Sequence, residues 1–85
     1  MSWELRVRGR AKSELARFPK KDKERVLSAL GELKFNPYSG DIEKIEGEEN
    51  TWRRRVGNYR LVYDVDVQNK IVAVRNIKRR TSSTY

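Results

Sequence analysis

Arg53, Arg55 and Arg60 flank a Gly57-Asn58 dipeptide inside the segment Trp52-Arg53-Arg54-Arg55-Val56-Gly57-Asn58-Tyr59-Arg60-Leu61-Val62-Tyr63. The runs on either side are strand-like, and Gly-Asn between them is a two-residue hairpin signal because both residues tolerate positive φ. In that register Val56 faces Tyr59, Arg55 faces Arg60, Arg53 faces Val62 and Trp52 faces Tyr63. Side chains alternate across a strand. Arg53, Arg55 and Arg60 therefore share one face, and Trp52, Val56, Tyr59, Leu61 and Tyr63 share the other. Guanidinium forks bind phosphate oxygens two at a time. Like charges set opposite each other destabilise a strand pair, and a polyanion laid across that face would relieve the repulsion. Arg54 falls on the apolar face, where it must snorkel to the edge or find an acidic partner.

The composition narrows the chemistry. The chain has 85 residues, the size of one small domain, residues 1–85. It has no cysteine and no histidine. Disulfides and thiolate metal sites are excluded, and so are the commonest general base and the commonest zinc ligand. The net charge of +8 points to a polyanionic partner: RNA, DNA or an acidic protein. The acidic stretch Glu46, Glu48 and Glu49 carries no ligand spacing, so neither a metal nor another cofactor is expected. No apolar run approaches the ~20 residues that cross a bilayer. Charged residues interrupt the N-terminal stretch from Glu4 onward, which argues against a signal peptide. No membrane association is expected, and a cytoplasmic location is the default.

The elements that position the arginines follow from periodicity. Trp3 to Arg8 alternates apolar and polar residues, as a half-buried strand does. Arg10 to Phe18 places Ala11, Leu15 and Phe18 at helical spacing. Pro19 stops that helix and suits the first turn of the next. Lys20 to Lys34 carries the stripe Val26, Leu27, Leu30 and Leu33, ended by Asn36-Pro37. Asn36 to Asn50 is turn-rich and acidic, with Ile42 and Ile45 tucked toward the core. Strands follow at Thr51–Val56, Tyr59–Val65 and Lys70–Ile77, with a turn at Val67 to Asn69. The expected fold is α+β, in the order β-α-α-β-β-β, with a helical hairpin packed on a small, mostly antiparallel sheet.

This order and several local strings resemble the RelE/ParE superfamily of toxins. The carrying residues are Ala11, Leu15 and Phe18-Pro19-Lys20, then Asn36-Pro37, Lys44-Ile45-Glu46-Gly47, the hairpin segment, and Lys78-Arg79-Arg80 with a terminal Tyr85. The resemblance implies the toxin of a type II toxin–antitoxin system, held inactive by a cognate antitoxin. The RelE branch enters the ribosomal A site and cleaves mRNA; the ParE branch inhibits DNA gyrase. The roles of the RelE active face fall here on Arg53, Arg55, Arg60, Arg79 and Tyr85. For Arg60 and Arg79, family position and expected face agree. RelE-like enzymes commonly have lysines where Arg53 and Arg55 stand, which keeps open a degraded relative that only binds antitoxin.

Metal-free RNA cleavage uses the 2′-OH as nucleophile. It needs a base for that hydroxyl, stabilisation of charge on the phosphoryl oxygens, and an acid for the leaving oxygen. Arginines suit the second task and, staying protonated, are poor bases. Tyr85, Lys78 or a ribosomal group could move the proton. Lys12, Lys20, Lys21, Lys23 and Arg25 on the helices, with Lys78 and Arg80, could grip rRNA phosphates. Trp52, Tyr59 and Tyr63 read as core aromatics rather than base-stacking platforms. The expected partners are the antitoxin, the ribosome with its rRNA, and mRNA.

Overall fold

The structure, a computed structural model, describes residues 3–79. Its elements are β1 (Glu4–Val7), α1 (Gly9–Ala16), α2 (Lys20–Phe35), β2 (Ile42–Lys44), β3 (Thr51–Val56), β4 (Tyr59–Asp66) and β5 (Ile71–Arg79). The strands form one sheet in the order β1-β5-β4-β3-β2. β1 pairs with β5 in parallel, and every other neighbour is antiparallel. Both helices lie on one face, so the expected α+β arrangement of a helical hairpin on a mostly antiparallel sheet holds. Among the described residues, no helix is long and apolar enough to cross a membrane.

The core forms where α2 meets the sheet. Val26, Ala29, Leu30 and Leu33 from α2, with Ala11 from α1, bury against Val56, Tyr59, Leu61, Tyr63, Val65, Val72, Val74 and Ile77. Alternation along β4 is strict, with Tyr59, Leu61, Tyr63 and Val65 all buried. Asp22 in the first turn of α2 and Lys34 in its last suit the helix dipole. Leu27 departs from the expected stripe: it is 49% exposed, and Ala29 takes the core position instead. The reason is angular, since Leu27 follows Val26 by only one residue and so turns about 100° away from it.

Two features were not legible as elements. The acidic segment contains a three-residue edge strand, β2, formed by backbone pairing with β3 and too short to show a period. The β4–β5 ladder also slips at Val62/Tyr63, where Val62 faces Asn76 and Tyr63 faces Val74. Arg75 is the extra residue of this bulge. β5 runs two residues beyond the expected end at Ile77, reaching Arg79.

Arg54 finds an acidic partner on the apolar face. It is buried at 8% exposure, pairs with Glu32 and donates from Nη1 to the Ala29 carbonyl at 3.5 Å. Its Nε has no acceptor among the described residues. Gly40, at φ +80°, lies so close that a Cβ there would come within 2.7 Å of the guanidinium. Arg54 thus joins β3, α2 and the loop after α2. Beside it, the Tyr63 hydroxyl donates to the Pro37 carbonyl at 2.7 Å.

Two outcomes follow. Arg54→Met should leave stability within about 1 kcal/mol, because apolar residues commonly replace buried ion pairs without loss. Glu32→Ala, which strands the guanidinium, should cost about 1–2 kcal/mol; urea titration compares the two. Burial, the largest influence, pushes the Tyr63 hydroxyl up to about 12. The folded state therefore holds that proton after the unfolded chain has released it near pH ~10. Stability from Tyr63 is complete below pH ~10 and is lost as pH rises toward ~12. Thermal midpoints of the wild type should fall across that window more steeply than those of Tyr63→Phe.

Candidate functional site

The two-residue turn sets the site. Gly57 adopts φ +58°, and the register is Val56↔Tyr59, Arg55↔Arg60, Arg54↔Leu61, Arg53↔Val62 and Trp52↔Tyr63. Burying Val56, Tyr59, Leu61 and Tyr63 under α2 forces Arg53, Arg55 and Arg60 onto the face without helices. Because opposed residues share a face, the open side of the sheet is organised in rows across the strands. One row reads Glu43, Arg53, Val62 and Asn76. The next reads Arg55, Arg60 and Lys78, three cations abreast at neighbouring-strand spacing of roughly 5 Å.

Carboxylates from the β2 edge reach into these rows. Arg53 is ion-paired with Glu43, its cross-strand neighbour. The Asp41 carboxylate lies 3.8 Å from Arg55 Nε, and the Asp41 carbonyl accepts from the Arg55 backbone N–H at 2.9 Å. Asp41, Glu43, Arg53, Arg55 and Arg60 line one small cleft of about 70 Å³. The hydrogen bond from Arg53, then its charge and those of Arg55 and Arg60, hold the Glu43 carboxyl below its ordinary value. Neither Arg60 nor Lys78 meets a carboxylate within ion-pairing distance among the described residues.

The far end of the same face is electrically closed. Arg75 Nε pairs with Asp64 at 2.6 Å, and its Nη2 lies 3.3 Å from Glu48. Thr51 Oγ1 donates to Asp64 at 2.6 Å. The Asp64 hydrogen bond raises Arg75 above its ordinary value. Among the described residues of this face, surplus positive charge is thus concentrated at the Arg55–Arg60–Lys78 end.

The other candidates separate. Arg79 does not join the row: it faces Tyr59 on the helix-bearing side, while Lys78 faces Arg60. The bulge at Arg75 is the cause, since one extra residue reverses the facing of everything after it. The position of Arg79 therefore disagrees with the face expected for it. Lys12, Lys20 and Lys21 are exposed and Lys23 is half-buried, all on the helical layer behind the arginine cleft. Arg25 alone reaches the hairpin, its guanidinium lying over Gly57. Near it, the Tyr59 hydroxyl donates to Asp22 at 2.7 Å and its ring packs on Phe18 with centroids 4.3 Å apart. Tyr59 and Tyr63 are buried and Trp52 is half-buried, in keeping with core aromatics. Arg80 and Tyr85 lie outside the described residues. Sequence reasoning missed Asp41 and Glu43 as parts of the site; their alternation opposite the Arg53/Arg55 alternation was the available signal.

The family model described as ParE toxin of type II toxin–antitoxin system, parDE, matches residues 5–83. A Methanocaldococcus jannaschii protein carrying the name toxin RelE1 is 26% identical over 83 residues, covering 94% of this chain and 92% of that protein. The chain superposes on RelE in the archaeal RelE–RelB complex of Pyrococcus horikoshii with a TM-score of 0.84 and 25% identity, over 96% of this chain and 99% of that one. It is similar in fold to the isolated Escherichia coli RelE toxin, with a TM-score of 0.83 and 23% identity, over 98% and 89% of the two chains.

The turn that sets the rows offers a direct check. A Cβ on Gly57 would sit 2.6 Å from Arg25 Nη1 as well as forcing a side chain into left-handed backbone. Gly57→Ala should lower the unfolding free energy by about 1–2 kcal/mol, with Gly57→Asn falling between it and wild type. Equal urea midpoints for all three would contradict the left-handed turn.

Proposed function

Because the chain belongs to the ParE toxin family of type II toxin–antitoxin systems, we propose that it is a RelE-like endoribonuclease that cuts mRNA in the ribosomal A site. The observation that carries this reading is the row Arg55–Arg60–Lys78 with Arg53 beside it: four cations on a helix-free face. In the proposed reaction the 2′-oxygen attacks the adjacent phosphorus and the 5′-oxygen leaves. The products are a 2′,3′-cyclic phosphate and a 5′-hydroxyl. Arg55 and Arg60 donate to the non-bridging oxygens, where charge develops, and Arg53 holds a neighbouring phosphate. A guanidinium stays charged at any working pH, so within the row Lys78 is the member suited to exchanging a proton. Tyr85 is assigned proton transfer or base stacking by family position, whereas Arg79, paired with Tyr59 on the helix-bearing side, is left out of the charge-stabilising set. Lys12, Lys20, Lys21, Lys23, Arg25 and Arg80 would hold rRNA phosphates. No metal or cofactor takes part in this scheme.

The proposed partners are the ribosome with its mRNA and, in the resting cell, a cognate antitoxin in the cytoplasm. The Pyrococcus horikoshii neighbour was solved with RelB, which supports the antitoxin. A second reading, gyrase inhibition without cleavage, is favoured by the match to the ParE family model.

Primer extension on an mRNA translated in vitro, with a ribosome-free control, separates the two. Cuts inside codons that need the ribosome are expected. Arg60→Ala should reduce their rate by roughly 10²-fold with an unchanged thermal midpoint, and Tyr85→Phe should also slow cleavage. Absence of cuts together with loss of gyrase supercoiling would favour the second reading.

A further inference from the structure

The arginine cleft carries its own anions. Of the five residues lining it, three are arginines and two are the carboxylates Asp41 and Glu43. Both carboxylates come from the sheet edge: Glu43 from the three-residue β2 and Asp41 from the residue before it. Each is two-thirds exposed, so each can turn out to water without leaving a buried charge. Glu43 meets Arg53 in one row, and Asp41 meets Arg55 in the next. The same two guanidiniums are those that an incoming phosphate would use.

Resting on the RNA-cleaving reading, we infer that Glu43, seconded by Asp41, is a built-in counter-anion that keeps isolated anions off the cleft while a strand presenting consecutive phosphates can still displace it. A lone phosphate in one row must compete with the carboxylate there and gains only that row. A single-stranded backbone places neighbouring phosphates in both rows at once and also engages Arg60 and Lys78, which hold no carboxylate among the described residues. Its extra contacts offset the displaced ion pairs, whereas the lone anion has no such surplus. The hydrogen bond from Arg53 keeps Glu43 ionised below the usual carboxylate range, so the competition operates at any ordinary pH.

The test uses full-length protein and a fluorescent single-stranded RNA nonamer, 2′-O-methylated so that it cannot be cut. Anisotropy titrations across a salt series compare wild type, Glu43→Gln, Asp41→Asn/Glu43→Gln and Arg60→Ala. Inorganic phosphate is titrated in parallel by NMR of the arginine Nε–H signals. Removing Glu43 should tighten nonamer binding about fivefold, as loss of an exposed competing ion pair implies. It should also steepen the salt dependence by roughly 0.7 in log–log slope, one further phosphate contact to a single strand. In the double variant inorganic phosphate should bind more tightly than to wild type, and the nonamer, which displaces both carboxylates where the lone anion displaces one, should gain by the larger factor. Unchanged or weaker nonamer binding by Glu43→Gln, with Arg60→Ala still impairing it, would overturn the counter-anion role and leave the RNA face standing. Binding indifferent to Arg60→Ala, or no binding by wild type, would overturn both.

Discussion

The pairing of Val56 with Tyr59 across a two-residue turn is the constraint on which the open face depends. Those residues, with Leu61 and Tyr63, must bury under α2. A slip of one residue would send all of them to solvent and bring Arg55 and Arg60 into the core. Hydrophobic burial therefore enforces an arrangement that electrostatics alone would reject, with Arg55 directly opposite Arg60. The repulsion is tolerated because it is small in water compared with the burial of four large side chains. The site is, in this sense, the cost side of the core.

The sheet then manages its charge by position. At the Thr51 end, Arg75, Asp64 and Glu48 satisfy one another and Thr51 closes the network. At the turn end, cations outnumber carboxylates and the surplus is exposed. β2 lies along the edge between solvent and this surplus, and opposite charges face each other where it pairs with β3. That pairing favours a strand whose three residues have little else to hold them. Edge formation and charge balance are thus one interaction viewed twice.

Much of this was legible in the chain. The hairpin register, the face shared by Arg53, Arg55 and Arg60, the two helices parted by Pro19 and the central strands all follow from a strong two-residue turn and clear periodicities. The partner of Arg54 was foreseeable only as a type, because Glu32 approaches it from a helix distant in sequence. β2 was hidden since three residues show no alternation. The facing of Lys78 and Arg79 was hidden for a different reason. Parity propagates along a strand only while the ladder is unbroken, and the sequence near Arg75 has no Gly or Pro to mark the interruption. Leu27 was misplaced by treating two adjacent apolar residues as one stripe.

The bulge at Arg75 also makes β5 behave like a reading frame. Upstream of it, the even-numbered Val72 and Val74 point to the core; downstream, the odd-numbered Ile77 does. The identity of the side chain delivered beside Arg60 is therefore set by a count of residues as well as by the residue itself. In lineages of this fold, insertions and deletions in β5 can exchange an ammonium for a guanidinium on the open face while every codon for a basic residue stays intact. Aligning such sequences column by column would then pair residues that lie on opposite sides of the sheet.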